Sequence, residues 1–213
     1  MQNNFSREKV KPVEQEVEAK FPIRSLETVR KRLEQAGAVL EAPRVHEVNL
    51  RFDTPEGTLT RERRVLRLRR DSRAILTYKG AAQPGQEVSV RQEIEVEVSD
   101  FEAARRLLEA LGYRVSTMYE KYRTTYRLND AHVVLDEMPF GNFVEIEGEN
   151  AEKIHAIASV LGLRWEARVA ESYLGLFERV RQAYGLPPTC LTFEALRDVS
   201  VRFSIIGLEE ADV

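Results

Sequence analysis

The sequence predicts an α+β fold dominated by an antiparallel sheet. Three observations support this prediction. A unit of one strand and one amphipathic helix occurs three times, and two further pairs of alternating segments are joined by short polar turns. The strand-like segments number about eight, against three or four helices. Because the three units are unequally spaced, they are expected to lie within one domain rather than to form a solenoid.

Each repeated unit consists of a strand with glutamates at alternate positions, a helix with spaced apolar residues, and a glycine. The predicted helices are about 26–36, 101–111 and 151–161, followed by Gly37, Gly112 and Gly162. A glycine directly after the last helical residue fits a C-cap. The units therefore have clear predicted ends.

Two hairpins are predicted between the units. Residues 65–69 and 75–79 are joined through Asp71 and Ser72, and residues 119–127 and 132–136 are joined through Asn129 and Asp130. Such short polar pairs are typical of tight turns. After about Gly185 the pattern is lost, and only a short helix around 193–199 is expected there.

Composition narrows the classes of function. The chain has 213 residues, 43% hydrophobic residues and a formal net charge of -3, which points to neither nucleic acid nor a membrane as a partner. The single Cys190 excludes a disulfide framework and a cysteine metal site. With no apolar leader or membrane span in the sequence, we expect a soluble cytoplasmic protein.

The charges are sorted by strand, and residues two apart share one face of a strand. The acidic set on the first strand is Glu14, Glu16 and Glu18, and the basic set on later strands is Arg67, Arg69 and Lys79. Ordinary half-solvated strands are the alternative explanation, but a solubilising surface usually mixes signs. Because the helices need the apolar faces, a sheet that curls into a barrel places the charged faces in a lumen.

A lumen of this kind suits a phosphorylated ligand. Rows of Arg and Lys bind several phosphoryl groups through charge-assisted hydrogen bonds. Carboxylates on adjoining strands suit Mg²⁺ or Mn²⁺, which prefer oxygen ligands and often bridge protein to phosphate. A triphosphate with a divalent metal satisfies both sets at once.

An ordered series of motifs carries a resemblance to a known family. The motifs are Glu16-Val-Glu18-Ala-Lys20, then 49–55, 66–69, 76–80, 91–97, 121–128, 135–137, 141–147 and Ser172-Tyr173. Together they resemble the CYTH superfamily, also called triphosphate tunnel metalloenzymes, and within it the bacterial class IV adenylate cyclase-like branch. The resemblance runs from about residue 13 to residue 183.

The resemblance implies an eight-stranded antiparallel β-barrel, open at both ends, with helices packed outside. It implies a tunnel domain at 13–184, with a tail at 1–12 and an extension at 185–213. Residues implied to bind the triphosphate are Lys20, Arg67, Arg69, Lys79, Lys121 and Arg123. Residues implied to supply metal ligands are Glu16, Glu18, Asp136, Glu145 and Glu147. The implied cofactor is Mg²⁺ or Mn²⁺.

Two reactions fit this site. The branch resemblance favours an adenylate cyclase that converts ATP to cyclic AMP and pyrophosphate. The alternative is a phosphohydrolase acting on inorganic triphosphate or thiamine triphosphate, and a third reading is a non-catalytic polyphosphate or nucleotide-binding module. Lys79 is a catalytic base if burial beside Arg67 and Arg69 lowers its pKa. Otherwise it is one more residue that binds phosphate.

Several other residues were assigned on weaker grounds. Arg51 stands where many relatives carry Tyr, and it either reaches phosphate or faces solvent. Tyr119, Tyr122 and Tyr126 are expected to pack in a core rather than to stack on a base. His46, His132 and His155 show no metal-ligand spacing and receive no role, and a catalytic Cys190 is not expected. Oligomeric state is open, with a homodimer as one expectation.

Overall fold

The computed structural model describes residues 14–187 and 191–213. The strands are β1 (Glu14–Ile23), β2 (Val39–Asp53), β3 (Val65–Arg70), β4 (Ala74–Lys79), β5 (Ser89–Val98), β6 (Arg114–Leu128), β7 (Ala131–Met138) and β8 (Gly141–Glu147). The helices are α1 (Leu26–Gln35), α2 (Thr58–Arg61), α3 (Phe101–Ala110), α4 (Ala151–Val160) and α5 (Tyr173–Tyr184), with 3₁₀ turns at Trp165–Ala167 and Phe203–Ile206.

The eight strands close into an antiparallel barrel in the order β1-β5-β4-β3-β2-β6-β7-β8. Closure is made by β1, which pairs with β5 along one edge and with β8 along the other. The predicted α+β class and the implied eight-stranded barrel are both confirmed. In the closed ring each strand pairs with a neighbour on both sides along at least part of its length.

The three strand-helix units are confirmed as β1–α1, β5–α3 and β8–α4. Each helix begins after an N-cap side chain, at Ser25, Asp100 or Asn150, that accepts a hydrogen bond from the backbone N–H three residues further on. Each is followed by the predicted glycine in the left-handed region, with φ of 77°, 93° and 62° in chain order. Local signals therefore define both ends of these helices.

Both predicted hairpins are present, as β3–β4 and β6–β7. In the first turn an oxygen of Asp71 accepts the Arg73 backbone N–H at 2.8 Å. In the second turn Asn129 has φ 54°, a left-handed conformation that asparagine tolerates better than most residues. The turn residues named from sequence thus make the turns.

The outward faces of the strands carry the hydrophobic core. Phe21 on β1 and Ile146 on β8 are fully buried, and they belong to one cluster with Leu33 of α1 and Ile154 of α4. A second cluster joins α3 to the outer faces of β2 and β3. Because the apolar side chains point out towards the helices, the alternating charged side chains point inward.

One outer face departs from expectation. Ile94 and Val96 of β5 lie on the apolar side of their strand, where helix packing was expected, yet each is about half exposed, at 48% and 49%. The helix that follows this strand, α3, packs with the residues of β2 and β3 instead. The apolar alternation predicted the outward face of β5 correctly, but it did not predict that this face is left partly exposed.

The C-terminal region also departs from expectation. The short helix predicted around 193–199 is wrong, because residues 193–198 form turns and the helical segment lies later, at Phe203–Ile206. Apolar residues of this region pack against α5 and the β7–β8 turn in a third cluster that includes Phe140 and Phe143. The domain boundaries implied by the resemblance stay a prediction.

Candidate active site

The inward faces of the strands line a cavity of about 290 Å³. Ten of the eleven predicted site residues line it: Glu16, Glu18, Lys20, Arg67, Arg69, Lys79, Lys121, Arg123, Glu145 and Glu147. The eleventh, Asp136, is fully buried behind the lining. The structure therefore gathers into one lumen residues that are far apart in the sequence.

The lumen has two walls of opposite charge. The basic wall consists of five cations on the adjacent strands β3, β2 and β6: Arg51, Arg67, Arg69, Lys121 and Arg123. The acidic wall consists of six carboxylates and two cations on the adjacent strands β8, β1 and β5: Glu16, Glu18, Glu93, Glu95, Glu145, Glu147, Lys20 and Arg91. Lys79 on β4 and Asp136 on β7 lie on the strands between the walls.

The basic wall is held together by one buried carboxylate that the sequence analysis did not single out. Glu47, only 1% exposed, lies 3.7 Å from Arg69 Nη1, 3.7 Å from Lys121 Nζ and 3.9 Å from Arg123 Nε. Burial opposes its ionisation, but the charges of Lys121 and Arg123, followed by those of two arginines on β3, lower the pKa of Glu47 to about 2. Glu47 is therefore a permanent anion within the cationic cluster.

Asp136 anchors the basic wall from behind. It accepts hydrogen bonds from Lys121 Nζ at 2.9 Å, from Arg123 Nε and Nη2 at 2.7 and 2.6 Å, and from the Tyr173 hydroxyl at 2.8 Å. These contacts occupy both carboxylate oxygens and fix two cations that face the lumen. Its implied role as a metal ligand stays a prediction, and the contacts seen here are those of a positioning residue.

Ion pairs run along the acidic wall. Glu16 contacts Lys79 and accepts from Arg91 Nε at 2.8 Å, and Arg91 also reaches Glu18 at 3.1 Å. Burial raises the pKa of Glu16, but the charges and hydrogen bonds of Lys79 and Arg91 outweigh it and hold the pKa at about 2. Glu16 is therefore charged at neutral pH.

A second set of ion pairs connects the walls at Glu145. Its two oxygens lie 3.2 Å from Lys20 Nζ and 2.5 Å from Arg123 Nη2. Burial again opposes ionisation, and the charges of Lys20 and Arg123 hold the pKa of Glu145 well below its usual range. Its carboxylate therefore faces cations from both sides of the lumen.

Two carboxyls of the acidic wall behave differently. Burial raises the pKa of Glu93 to about 7, helped by the charges of Glu16 and Glu95 and opposed by Lys79, whose Nζ is 3.1 Å away. Burial and the charges of Glu16 and Glu18 also raise the pKa of Glu147. Crowded carboxylates of this kind are relieved by a proton or by a metal cation.

Residue types that hold Mg²⁺ or Mn²⁺ are therefore present. Within the described ranges, no group of three or more His, Cys, Asp or Glu side chains is arranged to hold a metal unaided. A metal that arrives with phosphate needs only one or two protein carboxylates, because phosphate oxygens and water complete its coordination. The crowding at Glu147, beside Glu16 and Glu18, fits this kind of site.

Two lumen residues add to what the sequence predicted. Tyr119 packs in a core cluster, as expected, and it also lines the lumen. Burial opposes ionisation of its phenol, but the charges of Arg67 and Lys121 outweigh burial and lower the pKa of Tyr119. Arg51 also lines the lumen, and its contact with phosphate stays a prediction. Strand alternation gave the signal for Tyr119, since it lies two residues from Lys121.

Tyr173 completes the lining from the first turn of α5, beside Ser172 and Leu174. The ring lies 4.3 Å from Lys20 Nζ and 5.4 Å from Lys121 Nζ, within range of a cation–π contact. Burial, followed by the charge of Asp136, raises the pKa of its phenol well above the usual value. No strand pattern could have placed this helical residue in the lumen.

The remaining named residues lie away from the lumen lining. Tyr126 packs in the core as expected, whereas Tyr122 contacts His46 and Phe193 at ring-centroid distances of 4.9 and 5.1 Å. His132 and His155 make contacts outside the cavity, with Glu41 and Trp165 respectively. Cys190 falls outside the described residues. Of the helices described, none is long and apolar enough to cross a bilayer.

Comparison with known proteins agrees with this architecture. Residues 14–162 match the family model described as CYTH domain. A proposed adenylate cyclase from Vibrio parahaemolyticus is similar at 23% identity with a TM-score of 0.69, over 76% of this chain and 97% of that chain. A Pyrococcus horikoshii OT3 protein is similar at 26% identity with a TM-score of 0.64, over 75% and 97%.

A third similar structure comes from Hippeastrum, at 19% identity and a TM-score of 0.57, over 76% of this chain and 95% of that chain. It is described as a proposed adenylyl cyclase that reveals a dominant triphosphatase activity. The likenesses to the Vibrio and Hippeastrum proteins, below 25% identity, establish the fold alone. A search of curated proteins found no match.

Proposed function

Because this chain belongs to the CYTH domain family, we propose that it is a metal-dependent enzyme that binds a triphosphate in its lumen and cleaves a phosphoanhydride bond. One observation carries the proposal: the excess of cations and the excess of carboxylates lie on facing walls of the lumen. Each wall contains some counter-charge, but neither wall neutralises itself. A chain of phosphates bound to a divalent cation matches two such walls.

The basic wall is assigned to the phosphates. Arg67, Arg69, Lys121 and Arg123 present their donors from three adjacent strands, and Arg51 adds a fifth cation on the same side. Asp136 and Glu47 hold several of these cations before any ligand arrives, which lowers the entropic cost of assembling the clamp. Lys20 supports the clamp from β1.

The acidic wall is assigned to the metal, with Glu16, Glu18, Glu145 and Glu147 as the residues that would hold it. A bound Mg²⁺ or Mn²⁺ would neutralise phosphate oxygens and polarise the phosphorus that is attacked. Glu18 and Glu147 have the carboxylate oxygens least committed to cations, since within the described residues Glu18 forms an ion pair with Arg91 and with no other cation.

Lys79 and Glu93 are neighbours in the lumen to which different roles are assigned. A base role for Lys79 requires neighbouring arginines that lower its pKa. The ion pairs that Lys79 makes are instead with the carboxylates of Glu16 and Glu93. This environment fits Lys79 as a phosphate clamp. Glu93, with its pKa raised to about 7 by burial first, is the group that exchanges a proton near neutral pH.

Hydrolysis of a triphosphate is the reaction that the lumen favours over cyclisation of ATP. Among the described residues that line the cavity, the only aromatic ones are Tyr119 and Tyr173, and the ring of Tyr173 already lies over Lys20. Both residues are largely buried, at 7% and 8% exposed, which leaves little open ring surface for adenine. Phosphate-binding chemistry is well represented in the lumen, whereas base-binding chemistry is not.

Product analysis tests the proposal and separates the two reactions. Purified protein is incubated with ATP, inorganic triphosphate and thiamine triphosphate, with Mg²⁺ and separately with Mn²⁺. Orthophosphate release without cyclic AMP is the expected result. Cyclic AMP with pyrophosphate would establish the cyclase instead. Tight binding measured by calorimetry, without any product, would leave the chain a triphosphate-binding module and refute the enzyme.

A further inference from the structure

The last described segment of the chain, residues 191–213, lies outside the region that matches the family. The family match ends at residue 162, and the Pyrococcus relative is covered over 97% of its length by 75% of this chain. This segment, named here the C-terminal strap, contacts the barrel at three places. Each contact adjoins an element that supplies a lumen residue.

The first contact is with β6. Leu191 forms a parallel bridge with Tyr119: the Leu191 N–H donates to Met118 O at 3.1 Å, and the Glu120 N–H donates to Leu191 O at 3.0 Å. This edge of β6 is open because β7 pairs with β6 only from Tyr122 onward. The strap therefore supplies the backbone partner of the part of β6 that carries Tyr119 into the lumen.

A side-chain contact reinforces the pairing. The backbone N–H of Phe193 donates to a carboxylate oxygen of Glu120 at 2.7 Å, and the Phe193 ring lies 5.1 Å from that of Tyr122. The Leu191 side chain is fully buried. One buried side chain, two backbone–backbone hydrogen bonds and one backbone–side-chain hydrogen bond thus fix β6 immediately before Lys121, a member of the basic wall.

The second contact is with β8 and with α5. Phe203 packs 5.2 Å from the Phe143 ring and covers Gly141, where a side chain would collide with its ring. Arg179 of α5 donates to the carbonyl of Ile206. The same helix begins with Tyr173, whose hydroxyl donates to Asp136 and whose ring faces Lys20. The middle of the strap thus holds the helix that contributes to the lumen lining.

The third contact is with the end of β1. The carboxylate of Asp212 accepts the backbone N–H groups of Arg24 at 2.7 Å and Ser25 at 2.9 Å. The Ala211 N–H donates to Pro22 O at 2.8 Å. These contacts lie at the end of β1, after the lumen residue Lys20. They connect the end of the strap to the start of α1.

We propose that the C-terminal strap is a positioning element of the active site, which holds β6 and α5 so that Tyr119, Lys121 and Tyr173 keep their places in the lumen lining. The inference rests on the proposed function, because the consequence is a change in triphosphate binding. Glu47 and Asp136 offset much of the repulsion within the basic wall, but they do not fix the backbone of β6 before Lys121. The strap fixes it from outside with apolar burial and backbone hydrogen bonds.

The test compares two variants at opposite ends of the strap. Leu191→Pro removes the N–H that bonds to Met118, next to the lumen residue Tyr119. Asp212→Ala removes the acceptor of the Arg24 and Ser25 N–H groups, which are not part of the lumen lining, and it is the matched control. Both are expected to lower the melting temperature. Calorimetry with inorganic triphosphate and Mg²⁺ is expected to give about tenfold weaker binding for Leu191→Pro and no change for Asp212→Ala.

A purely structural strap would lower stability in both variants and change triphosphate affinity in neither, which would overturn the proposal. If Leu191→Pro does not fold, Leu191→Ala is measured in its place, with the same direction expected from loss of the buried side chain. If Leu191→Ala binds triphosphate as tightly as the unmodified protein, the positioning role of the strap is refuted.

Hydrogen exchange separates failure of this inference from failure of the proposed function. Amides of Tyr119 to Lys121 are expected to exchange faster in Leu191→Pro than in Asp212→Ala, without any ligand. If the unmodified protein binds no triphosphate, the proposed function fails, and the exchange rates alone decide whether the strap positions β6. Unchanged exchange at these amides would refute the positioning role.

Discussion

The two walls of the lumen differ in how they manage their charge. The basic wall, with five cations, is anchored from behind by Glu47 and Asp136, which are 1% and 0% exposed. The acidic wall is paired within itself and with Lys79, and two of its carboxyls, Glu93 and Glu147, have raised pKa values caused first by burial. The basic wall is therefore preorganised for an anion, whereas the acidic wall has charge left to be neutralised.

Substitution on the acidic wall is expected to have the largest effect on turnover. Glu18→Gln keeps the shape of the side chain but removes its charge. Among the described residues its one ion pair is with Arg91, so the other ion pairs of the lumen stay in place. We expect kcat with Mg²⁺ to fall on the order of 10³-fold. Triphosphate binding in EDTA should change little, as measured by calorimetry.

The matched control is Glu97→Gln, a carboxylate on β5 that pairs with Arg73 outside the lumen lining. It should have the turnover of the unmodified protein. Retained turnover in Glu18→Gln would show that this wall does not serve a metal.

Substitution on the basic wall should instead weaken binding. Arg67 lines the lumen with an exposed side-chain fraction of 11%, so a phosphate contact there is poorly screened by water. Arg67→Gln is expected to weaken binding of inorganic triphosphate in EDTA about 100-fold, equivalent to one charge-assisted hydrogen bond of about 2.7 kcal/mol. Arg73→Gln, in the exposed β3–β4 turn, is the control. Equal affinities for the two variants would remove Arg67 from the clamp.

Glu47→Gln tests whether the basic wall depends on its buried anion. Loss of this charge leaves several cations facing one another, so we expect the free energy of unfolding to fall by about 2 kcal/mol without ligand. Inorganic triphosphate should recover part of that loss, because it supplies negative charge to the same cations. Denaturant unfolding with and without triphosphate measures both effects.

The control is Glu41→Gln, an exposed carboxylate on the same strand, paired with Arg127. It should cost little, since exposed ion pairs contribute weakly. A Glu47→Gln protein as stable as the Glu41→Gln protein would show that the cations do not need the buried charge.

The smallest expected effect is a pH dependence that originates on the acidic wall. Burial first, and then the charge of Glu16, raises the pKa of Glu93 in the fold from 4.5 to about 7. A raised carboxyl pKa contributes stability that is complete below pH 4.5 and lost as pH rises through about 7. Glu93→Gln cannot lose this stability. Its melting temperature relative to the unmodified protein should therefore increase between pH 5 and pH 8.

Thermal unfolding at several pH values measures this difference. Glu95→Gln, two residues along the same strand and 42% exposed, is the comparison and should show a weaker trend. A difference that is constant with pH would mean that Glu93 does not titrate in this range.

Alternation in the strands was sufficient to predict most of the lumen. Because the side chains of a strand alternate, Glu16, Glu18 and Lys20 had to share a face, and the hairpin turns followed from local residue preference. Closure of the sheet did not follow from the residues, and it came from the family resemblance. Tyr119 packs in a core as predicted, but its aromatic type did not indicate the lumen contact that follows from its position two residues from Lys121.

The parts that could not be predicted depend on contacts between distant segments. Glu47 is an isolated glutamate in its strand, and only barrel closure surrounds it with Lys121 and Arg123. Phe193, Leu196 and Val199 have helical spacing, but backbone groups of Leu191 and Phe193 bond to β6 instead. A short isolated helix has little stability of its own, so a tertiary contact of this kind prevails.

The pairing of β1 has a consequence for how the protein is made. Its partners, β5 and β8, follow it by about 75 and 125 residues in the chain, as the pairs Glu16–Arg91 and Lys20–Glu145 show. During synthesis the strand that carries the acidic motif emerges before either partner exists, and the ring cannot close until β8 has left the ribosome. Folding should therefore be slow for a protein of this size, since the strand pairs that close the ring are long-range.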